Sequence, residues 1–361
     1  MTAFRLGYRP ALDGLRGVAV SLVMVSHLAP PTLSSAGPVG VLMFFTLSGF
    51  LITTLLIEER EASGRIDLPH FYKRRALRLL PALIVLLTVL LVLDAVVGSQ
   101  AGYERPALFT LFYVANWAII DGVDFHHINH TWSLSIEEHF YLLWPLTMVL
   151  VLRHHDKHAL LWVAAAGAAA SWGWRVALWG SEASLPRVIY GTDTRLDGLL
   201  IGCLLAIVGY QRIRRIPWPL ILAALAGVGS LMLVRTNGFH FAVGYAAVGL
   251  GTAVLIAACL LGQRIASVLE TRPLVWIGGI SYGLYLWHLP VYGAVFKYGG
   301  GFPYPLQAVI AVGLSLATAA LSYRLVEKRF LRLKRRASVR TVPVVAVGQR
   351  PLATVTPSDD P

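Results

Sequence analysis

Charge is scarce in this chain. Only 14% of its 361 residues are Asp, Glu, Lys or Arg, and 56% are hydrophobic, whereas soluble globular domains carry about 25% charged residues. That deficit excludes a water-soluble globular protein. Cysteine is almost missing: Cys203 and Cys259 are the whole complement, and both fall inside apolar runs. Neither a disulfide framework nor a cysteine-based zinc site follows from such a pair. The sequence also lacks a P-loop, a dinucleotide fingerprint, and any internal repeat of the kind that builds transporter halves.

What is present is a succession of apolar runs about as long as a bilayer crossing, near 20 residues each. They predict an all-α polytopic membrane protein with about ten transmembrane helices, at roughly 14–30, 38–57, 79–98, 134–152, 159–179, 193–209, 217–234, 240–261, 274–296 and 305–325. Arg5 and Arg9 precede the first run in the manner of a signal peptide. That run contains His27, however, and no small-x-small cleavage site follows closely, so it reads as a retained span. Segment 107–120, ALFTLFYVANWAII, is apolar but short, and its placement sets the topology of everything after it. If it does not cross, the stretches 1–13, 58–78, 153–157, 212–215, 264–272 and 324–340 share one side and hold 23 of the 31 lysines and arginines. The positive-inside rule then predicts one short non-spanning apolar helix at 107–120, with both termini cytoplasmic in a cell membrane. The net charge of +12 is thereby read as membrane orientation rather than nucleic-acid binding. Trp117, Trp132 and Trp144 read as belt and packing residues. Residues 1–337 form one membrane domain, and 338–361, mixed in Pro, Val, Thr and charge, read as a disordered cytoplasmic tail.

Polar groups inside such spans are costly and usually face a partner or a cavity. Arg16 and His27 bracket RGVAVSLVMVSH. Eleven helical steps put them on one stripe about 16 Å apart. They read either as a leaflet anchor with an interfacial histidine or as a working pair. With the topology above, His27, the Glu137–Glu138 pair of SLSIEEHFY, the Asp193, Arg195 and Asp197 of GTDTRLDG, and His288 of SYGLYLWHLP reach similar depth near the outer face. Four helices contributing at one level predict a shared polar cavity. Asp193 with Arg195 could equally be an interfacial ion pair, and His288 a buried histidine bonded to backbone freed by Pro290. At the opposite face, YKRRALRLLP gathers Arg74, Arg75 and Arg78. Arginines at i and i+3 or i+4 share a helix face and suit phosphate, although orientation bias alone also places cations there. FHHINH (125–130) and RHHDKH (153–158) have metal-like spacing but read as solvated loops, so no metal is expected. Ser48 in FFTLSGF reads as a small residue allowing close helix approach.

Taken in order, LDGLRGVAV, GVLMFFTLSGFLIT, YKRRALRLLPAL, WSLSIEEHFYLLWP, DTRLDGLLIG and SYGLYLWHLPV resemble the integral-membrane acyltransferase-3 family, whose members O-acylate surface glycans and other hydroxylated acceptors. The resemblance runs from about residue 9 to 330. It departs at His139, where the family usually has Gln. It implies the stand-alone form without an appended esterase-like domain, acyl-CoA as donor substrate with no permanently bound cofactor, and Arg16 and His27 as the catalytic-motif pair. It also suggests why the helix is polar at both ends. The donor's phosphate end would lie at Arg16 and its thioester near His27, a separation comparable to a pantetheine arm.

The expected activity is transfer of an acyl group, by default acetyl, to a hydroxyl of a glycan, glycolipid, peptidoglycan or secreted metabolite. His27 would be general base, oriented by Glu137 or Glu138. Arg16, Arg74, Arg75 and Arg78 would bind the donor, and Arg195, Asp193, His288 or Tyr282 would hold the acceptor or the oxyanion. Direct transfer needs no covalent serine. The alternative is a transporter of a polar or acylated small molecule. It accounts for a polar cavity but does not require a basic cluster at the opposite face.

Overall fold

A computed structural model describes residues 6–28, 35–97, 102–181, 183–209, 213–233 and 243–332. The tail expected to be disordered, and Arg5, Arg212, Lys334, Arg335, Arg336 and Arg340 of the basic stretches, lie outside the described residues. Within them the protein is helical with no strand: α1 (Pro10–Ser26), α2 (Ala36–Ser63), α3 (Leu68–Val97), α4 (Glu104–Leu111), α5 (Ala115–Ile120), α6 (Trp132–His154), α7 (Lys157–Gly180), α8 (Leu185–Tyr190), α9 (Leu196–Val208), α10 (Trp218–Leu233), α11 (Tyr245–Leu260), α12 (Arg264–Leu269), α13 (Arg272–Gly279), α14 (Ser281–Tyr298) and α15 (Tyr304–Ser322).

Local chemistry sets many of these limits. Proline stands in the first turns of α1, α8, α13 and α15, where its missing N–H costs nothing. Gly64, at φ 75°, ends α2 in the left-handed conformation and returns its N–H to the Arg60 carbonyl. The Asp156 carboxylate caps α7 by accepting from the backbone N–H groups of His158 and Ala159. Those donors hold its carboxyl below the usual carboxylate range.

Among the described residues three helices are long and apolar enough to cross a membrane by length and composition: α2, α3 and the continuous segment Tyr304–Arg332, with shorter apolar helices at α9, α10 and α11. They differ in position. About 72% of the most apolar window of α2 is buried, against 28% in α3 and 22% in the last helix, so α2 is central and the other two are peripheral. Glycine explains how α2 is enclosed. A Cβ on Gly49 would stand 1.8 Å from the Leu199 carbonyl oxygen, and one on Gly202 would stand 2.0 Å from that of Thr46. The backbones of α2 and α9 therefore approach more closely than any side chain permits.

The segment 107–120 is two helices rather than one. α4 and α5 are separated at Tyr113, which takes the left-handed φ of 56°. With eight and six residues they reach about 12 and 9 Å, far short of a hydrocarbon core about 30 Å thick. The run at 274–296 is likewise divided, with α13 ending at Gly279 and α14 starting at Ser281.

Candidate active site

Ser48 sits mid-way along α2, and its hydroxyl behaves unlike most in this protein. Thr46, Thr252 and Ser315 each donate to the carbonyl four residues back in their own helix, at 3.1, 2.7 and 2.7 Å. Ser48 Oγ instead donates across to α6, 2.8 Å from Glu137 Oε1. Glu137 in turn lies in the field of Arg75 and Arg16. Its neighbour Glu138, 100° further round α6, accepts from Arg75 Nε at 3.3 Å. The Arg75 guanidinium covers the Tyr141 ring, 3.1 Å from its centroid.

Ser48, Glu137, Arg75 and Tyr141 wall a cavity of about 230 Å³, lined also by Arg16, Arg78, Tyr282 and Tyr285, with apolar walls from Val41, Phe44 and Leu51. Tyr282 is anchored there by donating to the Leu79 carbonyl at 2.8 Å. Arg75 and Arg78 also line a second cavity of about 420 Å³ between the end of α2 and the start of α3. Arg74 lines only this second one, where it pairs with Glu59 at 2.8 Å. Three guanidinium groups and no lysine thus converge from α1 and α3 on one chamber, a donor set matched to phosphate oxygens.

A second constellation lies beyond Tyr285. His27 closes α1 as its C-cap residue, and its Nδ1–H donates to the Val23 carbonyl at 2.8 Å. A carbonyl can only accept, so in the neutral ring the lone pair is on Nε2. His27 meets His288 at 5.2 Å between ring centroids, and His288 meets His130 at 5.0 Å. His288 is fully buried, with its own Nδ1–H donated to the Tyr285 carbonyl at 2.7 Å. Tyr285 joins the two constellations. It lines the cavity, shares a 2.6 Å hydrogen bond with Ser133, donates to the His130 carbonyl, and touches the His288 ring. Among the described residues no group of three metal-ligating side chains is placed to hold an ion.

An acyltransferase-domain profile matches residues 9–324, the stretch that carries Arg16, His27, the arginines of α3 and Glu137. The chain belongs to the acyltransferase-3 family. It is similar to the O-acetyltransferase OatA of Staphylococcus aureus strain MRSA252, 33% identical over 370 residues that cover 94% of this chain and 61% of the relative. It is equally similar to OatA of strain NCTC 8325 / PS 47, 33% identical over 342 residues covering 89% and 57%. The chain therefore spans about 60% of the length of these relatives. No solved structure matches it.

The candidate site differs from the one sequence spacing suggested. Neither Glu137 nor Glu138 bonds His27; the carboxylates face Ser48 and Arg75, and the Val23 carbonyl orients the histidine instead. The reason is helical register. Ser133 meets Tyr285 near the start of α6, and Glu137, one turn further on the same face, meets α2 rather than α1. Asp193 and Arg195 are not a pair. Asp193 takes both guanidinium nitrogens of Arg187, at 2.8 and 2.5 Å, and the Trp174 indole N–H. Arg195 is fully buried, donates to the Ile189 carbonyl and lies 4.0 Å from the Tyr245 ring centroid. Asp197 forms a bidentate pair with Arg175 at 2.8 and 2.7 Å. This block braces α7, α8 and α9, and none of it lines the 230 Å³ cavity.

Sequence reasoning overlooked Arg175, Tyr285 and His130. Arg175 was detectable as a lone cation inside the apolar run SWGWRVALWG. His130 stood in a histidine cluster expected to be solvated, yet it is buried beneath His288 and Tyr285.

Proposed function

We propose that this acyltransferase moves an acyl group, by default acetyl, from cytoplasmic acyl-CoA to a hydroxyl on a glycan or another hydroxylated acceptor at the outer face. The chain would cross a cell membrane ten times with both termini cytoplasmic, and α4 and α5 would lie against the outer side. Arg16, Arg75 and Arg78 hold the donor's phosphates, with Arg74 at the entrance. His27 is the base that removes the acceptor's proton. His288 and Tyr282 are the groups positioned to hold the acceptor or the oxyanion, while Asp193 and Arg195 keep the brace intact. No permanently bound cofactor is required.

One observation carries the reading: a single helix has Arg16 in the wall of the arginine-lined cavity and, three turns on, His27 as its C-cap with Nε2 free to accept a proton. Its length, about 16 Å between the two residues, suits a donor entering at one end and an acceptor at the other. The names of the relatives support acetyl transfer to oxygen.

The test is purified protein in detergent given radiolabelled acetyl-CoA and a panel of soluble oligosaccharides. Thiol release coupled to an oxygen-ester product, abolished in His27→Gln, is the expected result. Movement of an acylated solute across proteoliposomes without thiol release would replace this reading with a transporter.

A further inference from the structure

We propose that the rings of His288, Tyr292, Phe296 and Tyr304 form the acceptor subsite beside His27, and that this subsite takes a pyranose ring. The C–H face of the sugar lies on Tyr304, and one of its hydroxyls lies at His27 Nε2. This inference rests on the transferase reading above and names the residues that its acceptor half uses.

The file of rings follows from the sequence. His288, Tyr292 and Phe296 are spaced by four along α14, so they share one face of the helix. His27 meets His288 at 5.2 Å between ring centroids. From there the rings continue at 5.8 Å to Tyr292 and 6.4 Å to Phe296. Phe296 then stacks on Tyr304, the first residue of α15, at 5.6 Å and 10° between planes. The Tyr304 hydroxyl donates to the Leu28 carbonyl, which returns the file to the chain one residue beyond His27.

Three properties of this wall point to a sugar. It is aromatic and open at its end: Tyr304 is 54% exposed, and His27 is exposed as well. With Phe296 against one face of the Tyr304 ring, the opposite face is the one left to receive a ligand. A tyrosine of an interfacial belt is oriented by its place at the headgroups, whereas this ring is fixed by Phe296 and tied to Leu28, which is preorganisation for binding. The wall is also polar beneath. Among the described residues His288 Nε2 and Tyr292 Oη are buried without a hydrogen-bond partner. Such atoms are costly to leave unpaired, and a ligand with several hydroxyls supplies the bonds that an alkyl alcohol does not. Finally, His27 and Leu28 are neighbours, about 3.8 Å apart between Cα atoms, so one ring resting on Tyr304 can present a hydroxyl to His27. All of this lies three turns of α1 from Arg16, which keeps the acceptor clear of the arginine-lined cavity.

The experiment is saturation-transfer NMR and steady-state kinetics on purified protein in detergent, with acetyl-CoA, a panel of soluble oligosaccharides, and sorbitol as a polyol without a ring. Saturation should pass from the wild-type protein to the ring C–H protons of an oligosaccharide and not to sorbitol. Tyr304→Leu keeps bulk at an exposed position but removes the ring. It should lose that transfer and raise the KM for the oligosaccharide roughly five- to tenfold, the scale of one aromatic contact, with the KM for acetyl-CoA unchanged. Tyr304→Phe keeps the ring and should retain most of the binding. Transfer and oligosaccharide KM unaltered in Tyr304→Leu overturn the subsite, and thiol release by the wild type with oligosaccharide then leaves the transferase reading standing. Equal transfer to sorbitol, or none to any oligosaccharide, overturns the assignment to a pyranose. Absence of thiol release in the wild type overturns the transferase reading instead, while the saturation-transfer comparison still decides whether Tyr304 binds a sugar.

Discussion

Arg75 lies over the ring of Tyr141, 3.1 Å from its centroid, while its Nε reaches Glu138 on the same helix. One guanidinium thus joins α3 to α6 and forms part of the wall of the cavity that Ser48 and Glu137 also line. Because it is held on two sides, its remaining N–H groups are presented to the cavity in a fixed orientation. A lysine would keep the charge but lose both the stacking and the planar fork.

This distinction makes the arginines of α3 separable. Replacing Arg75 or Arg78 by Gln should raise the KM for acetyl-CoA at least tenfold with little change in the KM for the oligosaccharide, since a charge-assisted hydrogen bond contributes roughly 1.5–3 kcal/mol. Arg74→Gln should have a smaller effect, because Arg74 is already paired with Glu59 outside that chamber. Equal effects from all three would assign them to membrane orientation alone.

For His27 the expected pH dependence has a definite sign. Only neutral imidazole accepts a proton, so acyl transfer to the acceptor should be slow at low pH and rise as the ring loses its proton. His27→Gln should remove that rising limb and lower turnover by 10²–10⁴-fold. Since the Val23 carbonyl, not a glutamate, orients His27, Glu138→Gln should leave the position of the limb unchanged. A shift of the limb in that variant would mean that Glu138 contacts His27 during turnover.

The Arg175–Asp197 pair is expected to govern stability. Both side chains are almost wholly buried, so removing one partner strands the other charge, at a cost of about 3–5 kcal/mol. Asp197→Asn and Arg175→Met should each sharply lower the melting temperature in detergent. Replacing both together with apolar residues of similar size should recover much of the loss. A double variant no more stable than either single one would count against a simple pair.

Topology can be tested at three positions. Reporter fusions before α4 and after α5 should give the same compartment, since neither helix is long enough to cross. Fusions at Arg153 should read as cytoplasmic. Opposite compartments on either side of 107–120 would invert every later span.

Sequence alone settled the class of this protein. An apolar period of about 20 residues and few charges leave a helical bundle in lipid as the workable solution, because every backbone polar group there must be satisfied within its own helix. Helical geometry also put Arg16 and His27 on one stripe, while the helix limits at Pro10, Lys157 and Ser63 fell several residues outside the apolar runs. What sequence spacing could not decide was which helix each polar side chain would meet. Depth along a helix follows from counting residues. Which neighbour stands at a given depth depends on how the helices pack, and a difference of one turn along α6 sent Glu137 to Ser48 rather than to His27. The close approach of α2 and α9 at Gly49 and Gly202 fixes the position of the helix that carries Ser48. The brace around Arg175 and the burial of His130 are likewise products of packing. A charged or titratable residue in an apolar run announces that it needs a partner; only the tertiary structure supplies that partner.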